Sequence, residues 1–156
     1  MPSESHRSLP RGAGFLVDGL WLIVDGRENE ELTGINAMFG FERLEVWEKT
    51  ILFADTVYSI TRHFPSDERV GLTNQIRRAA DSISSNIAEG SSRNSKKDFA
   101  RFVEIATGSL FEVVSQSFIS RNQGMLSPEE FQELYLAAEE QGRMLSGLRR
   151  SLLDDA

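Results

Sequence analysis

The sequence predicts an all-α protein, an antiparallel up-down-up-down four-helix bundle with an irregular N-terminal extension. Three observations carry that expectation. From Met38 onward, apolar residues recur at alternating spacings of three and four almost to the C-terminus. The pattern breaks at Phe64-Pro65, at Gly90 and at Gly124. The connections at those breaks are short, so helices that follow one another must pack antiparallel.

Residues 1–37 stand apart from this pattern. They hold Pro2, Pro10, several glycines and mixed charges, with no sustained period of 3.6 or 2. The apolar group Leu16, Val17, Leu20, Trp21, Leu22, Ile23 and Val24 fits one short strand or a loosely docked turn. The bundle domain is expected over 38–156.

The first helix is expected over about 42–63, with Leu44, Trp47, Ile51, Ala54, Tyr58 and Thr61 on its core face. Phe64-Pro65 ends it, because the residue before a proline is pushed out of helical geometry. A second helix over 68–90 buries Leu72, Ile76, Ala79, Ile83 and Ile87, and Gly90 is the expected C-terminal stop. The third, over 96–122, opens on Ser95-Lys96-Lys97-Asp98, a capping-box arrangement, and runs its stripe through Phe99, Phe102, Val103, Ala106, Leu110, Val113 and Ser117. Gly124 closes it. The fourth, over 128–153, starts at Ser127-Pro128-Glu129-Glu130, which supplies a cap, a proline at the first helical position and acids at the positive dipole end. Its stripe is Phe131, Leu134, Ala138, Gln141, Leu145, Leu148 and Leu152.

Two helices carry apolar residues beyond one stripe. Val46, Phe53, Val57 and Ile60 lie off the expected core face of the first, and Phe111, Val114 and Phe118 off that of the third. Outer apolar faces of this size point to self-association.

Composition narrows the function. The chain has 156 residues and no cysteine, which removes disulfides, zinc–thiolate sites and cysteine nucleophiles and fits a cytoplasmic setting. A net charge of −7 argues against coating nucleic acid through bulk charge, while leaving room for a local basic face. The longest apolar run, Gly14 to Val24, is interrupted by Asp18 and is not followed by a small-residue cleavage site. Neither a membrane span nor a signal peptide is therefore expected.

Catalytic chemistry is poorly supplied. His6 lies in the leader, and His63 stands at the end of the first helix as a cation favourable to its dipole. No H-E-x-x-H, G-x-S-x-G or phosphate-cradling loop occurs. Glu89, Glu104, Glu112 and Glu133 are carboxylates of the kind helical bundles use for paired metals, but none has a histidine three residues on. No catalytic residue, metal or cofactor is expected.

The stretch from Gln75 to Arg101 is the most unusual. Gln75, Arg77, Arg78, Ser82, Ser84, Ser85, Asn86 and Glu89 crowd the second helix with polar groups, several of them poor helix formers. Such residues persist where they are paired across the core or with a partner. Arg93, Lys96, Lys97 and Arg101 follow, a local basic run suited to phosphate or an acidic protein surface. No base-stacking aromatics interleave with that run.

The blocks Phe41-Glu42-x-Leu44-x-Val46-Trp47, Phe64-Pro65 and Leu72-Thr73-x-Gln75-Ile76-Arg77-Arg78-Ala79-Ala80-x-Ser82-Ile83-x-x-Asn86-Ile87-Ala88-Glu89-Gly90 resemble the bacterial four-helix-bundle family first noticed as reading frames within intervening sequences of large-subunit ribosomal RNA genes. The likeness continues through Phe102, Ala106, Gly108-Ser109-Leu110 and Glu112, and covers about residues 39–153. The resemblance implies a homopentamer around a central channel and no established catalytic activity. It extends to the accessory proteins of diversity-generating retroelements, which bind reverse transcriptase and nucleic acid through a basic surface. The family motif positions here are Gln75, Arg77, Arg78, Ser82, Asn86, Glu89, Gly90 and Glu112.

Two departures matter. The family begins shortly before the Phe-x-x-Leu-x-Val-Trp block, which points to Met38 as the expected start and makes residues 1–37 an extension or an upstream artefact. The retroelement proteins are strongly basic, whereas residues 38–156 retain 18 acids against 14 bases once the six acids and three bases of the leader are set aside. The expected function is a non-enzymatic oligomer that touches RNA or an RNA-processing partner through Arg77, Arg78, Arg93, Lys96, Lys97 and Arg101. The alternatives are a purely structural or protein-interaction module and a retroelement accessory protein.

Overall fold

The computed structural model describes residues 14–17, 20–23 and 39–154. Four long helices account for most of it: α1 (Glu45–Ile60), α2 (Leu72–Ser91), α3 (Lys96–Asn122) and α4 (Pro128–Asp154). Each packs on its sequence neighbour and α1 closes the ring against α4, the arrangement of an up-down-up-down bundle.

The leader is not irregular throughout. Gly14–Val17 (β1) and Leu20–Ile23 (β2) pair antiparallel, with Gly14 opposite Ile23 and Val17 opposite Leu20. Two strands replace the single strand or turn expected there. The residues between them are Asp18 and Gly19, a dipeptide favoured in two-residue hairpin connections. Val24, His6 and the remainder of 1–37 lie outside the described residues.

The first helical segment is divided. Gly40–Arg43 forms a 3-10 turn, Leu44 is extended, α1 runs from Glu45, and Thr61–His63 returns to 3-10 geometry before extended Phe64 and Pro65. Its core face also differs from the expected one. Val46, Phe53, Val57 and Ile60 are buried, together with Thr50, while Ile51 is 37% and Tyr58 40% exposed. Leu44, Ala54 and Thr61 of the expected face are buried as well, and Trp47 is half-buried. The two candidate stripes thus share one period, and the helix is rotated only far enough to expose Ile51 and Tyr58. Contact with α2 and α4 on either side sets the direction in which this face points. The outer face of α1 is therefore less apolar than expected, whereas on α3 Phe111 and Phe118 remain 67% and 38% exposed.

The other stripes are as anticipated, except that Leu72, Phe102 and Leu148 are only half-buried. Ile76, Ala79, Ile83 and Ile87 of α2, Phe99, Val103, Ala106, Leu110 and Val113 of α3, and Leu134, Ala138, Leu145 and Leu152 of α4 form one core. By length and composition α3 is apolar enough to cross a membrane, a test that bundle core helices also pass.

The helix ends explain themselves locally. Glu68, in a 3-10 turn over Ser66–Arg69, accepts from the Leu72 amide at the start of α2. The Ser95 hydroxyl accepts from the Asp98 amide and donates to the Asp98 carboxylate. Ser127 and Glu130 complete a reciprocal box, each side chain accepting from the other's backbone amide. After α3, Gly124 takes φ +73°, and the Met125 and Gly124 amides donate back to Ser120 and Arg121, a Schellman ending.

Gly90 is not the helical stop the sequence implied. It is buried inside α2, one residue before the end, with no left-handed turn. A Cβ there would lie 2.5 Å from Phe99 Cδ2 and 2.7 Å from Phe102 Cβ. Glycine is required because α2 and α3 converge at their shared turn.

Candidate nucleic-acid interface

The polar residues of α2 divide between its two flanks. On the flank toward α1, Arg77 donates from Nε to the Thr61 hydroxyl (2.8 Å), and its guanidinium lies 4.8 Å from the centre of the Tyr58 ring. The Tyr58 hydroxyl donates to Asp81 (2.8 Å). That bond, helped by desolvation and the Asp81 charge, raises the Tyr58 pKa above its ordinary 10.0. Arg77 is thus an internal clamp and does not join the basic run.

On the flank toward α3, Ser82 and Ser109 hydroxyls meet at 2.9 Å. Asn86 donates to the Ser82 carbonyl and hydroxyl at 2.7 and 3.0 Å. Gln75, Arg78 and Glu89 are exposed along α2, and Glu112 is exposed on α3, where it accepts from the amide of Gln116. The motif residues therefore combine an internal pairing, Ser82 with Asn86, and a solvent-facing polar row.

Arg93, Lys96, Lys97 and Arg101 gather at the turn from α2 into α3. They are not equivalent. Arg93 pairs with Glu89 and its guanidinium lies 4.7 Å from the Phe102 ring centre, so it is held in place. Lys97 and Arg101 are exposed. Arg78 stands 13 residues before the end of α2, about 20 Å along its axis, and is separate from the corner.

One contributor escaped the sequence argument. Arg149, near the end of α4, donates to Glu104 from Nε at 2.7 Å and so joins the α3 start, with Arg150 exposed beside it. Its signal was topological, since an up-down bundle brings the end of α4 alongside the start of α3. His63 does more than complement a dipole. Its Nε2 lies 3.0 Å from Glu130 Oε1 and ties the end of α1 to the first turn of α4. Beside this pair is a groove of about 500 Å³ lined by Leu52, Asp55, Thr56, Ser59, Ile60 and Glu133. Among the described residues no group of three or more His, Asp or Glu side chains is placed to hold a metal.

Fold and corner together define a small helical-bundle protein with a localised cationic edge. The chain belongs to the 23S rRNA-intervening sequence protein family, whose model matches residues 42–147. The fold is also that of a crystal structure of a protein of unknown function, from the S23 ribosomal protein family of Bacteroides thetaiotaomicron. Identity to it is 20%, the match covers 67% of this chain and 95% of that one, and the TM-score is 0.63. Comparison with curated proteins gives no significant match.

Proposed function

We propose that this chain is a non-enzymatic, self-associating bundle of the cytoplasm that binds RNA, or an RNA-processing protein, through its α2–α3 corner. The observation that carries the reading is the concentration of Arg93, Lys96, Lys97 and Arg101 at one turn of a protein whose net charge is −7. Such a patch binds polyanions locally although the whole molecule repels them. Membership of a family named for ribosomal RNA insertions supports the same direction.

Self-association draws support from α3. Ile105 and Ile119 are about half exposed on the flank that also holds Ser109, Glu112 and Gln116, beside the polar row of α2. Apolar anchors within a polar surround suit a protein interface. Five copies around a channel is the arrangement that the family resemblance implies. The Ser82–Asn86–Ser109 pairing favours a second reading, a purely structural or protein-interaction module.

Filter binding at low salt decides between them. Retention of RNA should fall steeply with salt, and changing Arg93, Lys96, Lys97 and Arg101 together to Glu should abolish it. No retention, or an unchanged quadruple variant, defeats the RNA reading. Light scattering on the same samples reads the oligomer, and a monomeric mass defeats self-association.

A further inference from the structure

Phe111 is the most exposed aromatic residue among those described, and Phe118 lies seven residues on, on the same face of α3. The two are about 10 Å apart along the axis, with the small Ser115 between them. Phe118 is fixed edge-on against Phe131 and Tyr135 of α4, at 4.9 and 6.2 Å between ring centres. This places the aromatic ridge on the α4 side of α3, away from the flank with Ile105 and Ile119.

The ridge is cationic at both ends. Arg121 lies over the Phe118 and Phe131 rings, at 5.0 and 4.4 Å, and no described carboxylate pairs with it. At the other end, on the same line of the helix, is Lys97, exposed, while Arg101 stands four residues before Ile105 on the other flank. The carboxylate between Lys97 and the aromatics, Glu104, is taken up by Arg149. From Lys97 to Phe118 the helix rises about 32 Å, room for a strand within the roughly 4–16 nucleotides that single-strand binding sites cover.

We infer that this outer ridge of α3 is a track for single-stranded RNA. Bases stack on Phe111 and on the Phe118–Arg121 platform, and phosphates meet Lys97. Exposed rings combined with a planar guanidinium and backbone-tracking cations are the chemistry such strands use. Charge favours a polyanion here over a second copy laid symmetrically on the ridge. Antiparallel pairing sets Arg121 against Lys97, and parallel pairing sets each cation against itself. The inference rests on the RNA reading above and names the kind of RNA.

Fluorescence anisotropy with a short unstructured RNA and an abasic strand of equal length tests it. Phe111→Ala and Phe111→Leu should each weaken the base-bearing strand about tenfold, leaving abasic-strand affinity and the salt slope unchanged. Light scattering should show an unchanged mass. Unchanged affinity in both Phe111 variants, with binding lost in the quadruple corner variant, overturns the track and leaves the corner reading standing. A fall in mass with RNA affinity intact overturns it too, by showing that the ring covers another copy. If the wild type binds neither strand, the track is overturned, and filter binding decides separately whether the corner reading stands.

Discussion

The hydroxyls of Ser82 and Ser109 stand 2.9 Å apart across the α2–α3 interface, and Asn86 donates into the same pair. Three small polar side chains therefore join two helices on the flank where the family motif is densest. A helix interior accepts Ser and Asn at some cost in propensity, and here these residues are paired.

Removing the donor tests that pairing. Asn86→Ala should lower stability by about 1 kcal/mol in urea unfolding, since a half-buried hydrogen bond is lost. Glu89→Ala should change it by less than about 0.5 kcal/mol, because Glu89 is exposed and its pair with Arg93 is a surface one. Equal losses in the two variants would contradict this assignment.

Gly90 and Gly147 give opposite outcomes for one substitution. Gly90→Ala should destabilise by about 1–3 kcal/mol, as the new methyl would meet Phe99 and Phe102 inside contact distance. Gly147→Ala, in α4 with nothing within 4 Å of the added carbon, should stabilise by about 0.5–1 kcal/mol through helix propensity. Thermal unfolding of both reads the contrast directly.

Glu130 links the cap of α4 to the end of α1. The Ser127 amide bonded to its carboxylate holds its pKa below the usual 4.5; burial opposes that shift, and His63 adds a smaller lowering effect. A depressed carboxyl contributes stability above its unfolded pKa and loses it as pH falls through the folded value. Urea midpoints should therefore drop below about pH 4.5 in the wild type, and more shallowly in Glu130→Gln. Parallel pH profiles would show that the link carries no weight.

Tyr58 behaves in the opposite sense. Its neutral form is held by Asp81, so its contribution is complete below the ordinary 10.0 and is lost as pH rises through the higher folded value. Ultraviolet titration should place one tyrosine above 10.0 in the wild type. In Asp81→Asn the Tyr58 transition should move down toward 10.0, and no movement would remove Asp81 as the cause.

Much of the fold was legible before any coordinates. Ser127-Pro128-Glu129-Glu130 announced α4 because cap, proline and acids act within a few residues of one another. Ile76, Ile83 and Ile87 had no competing apolar face on α2, so their burial followed from spacing alone. On α1 two stripes competed, and the choice of Val46, Phe53, Val57 and Ile60 over Ile51 and Tyr58 depended on neighbours distant in sequence. The basic corner was legible as a run, but the withdrawal of Arg77 to Thr61 and the arrival of Arg149 at Glu104 were not.

The sequence by itself determined an all-α bundle of four helices, the capped starts of α3 and α4, the glycine ending of α3, and a family membership carried by the α1 and α2 motifs. These depend on short-range geometry, namely capping, turn chemistry and the 3.6-residue period. Only the tertiary structure decided how α1 is rotated, why residue 90 must be glycine, and which cations face solvent. Those outcomes turn on contacts between residues far apart in the chain, where the packing of one helix sets the environment of the next.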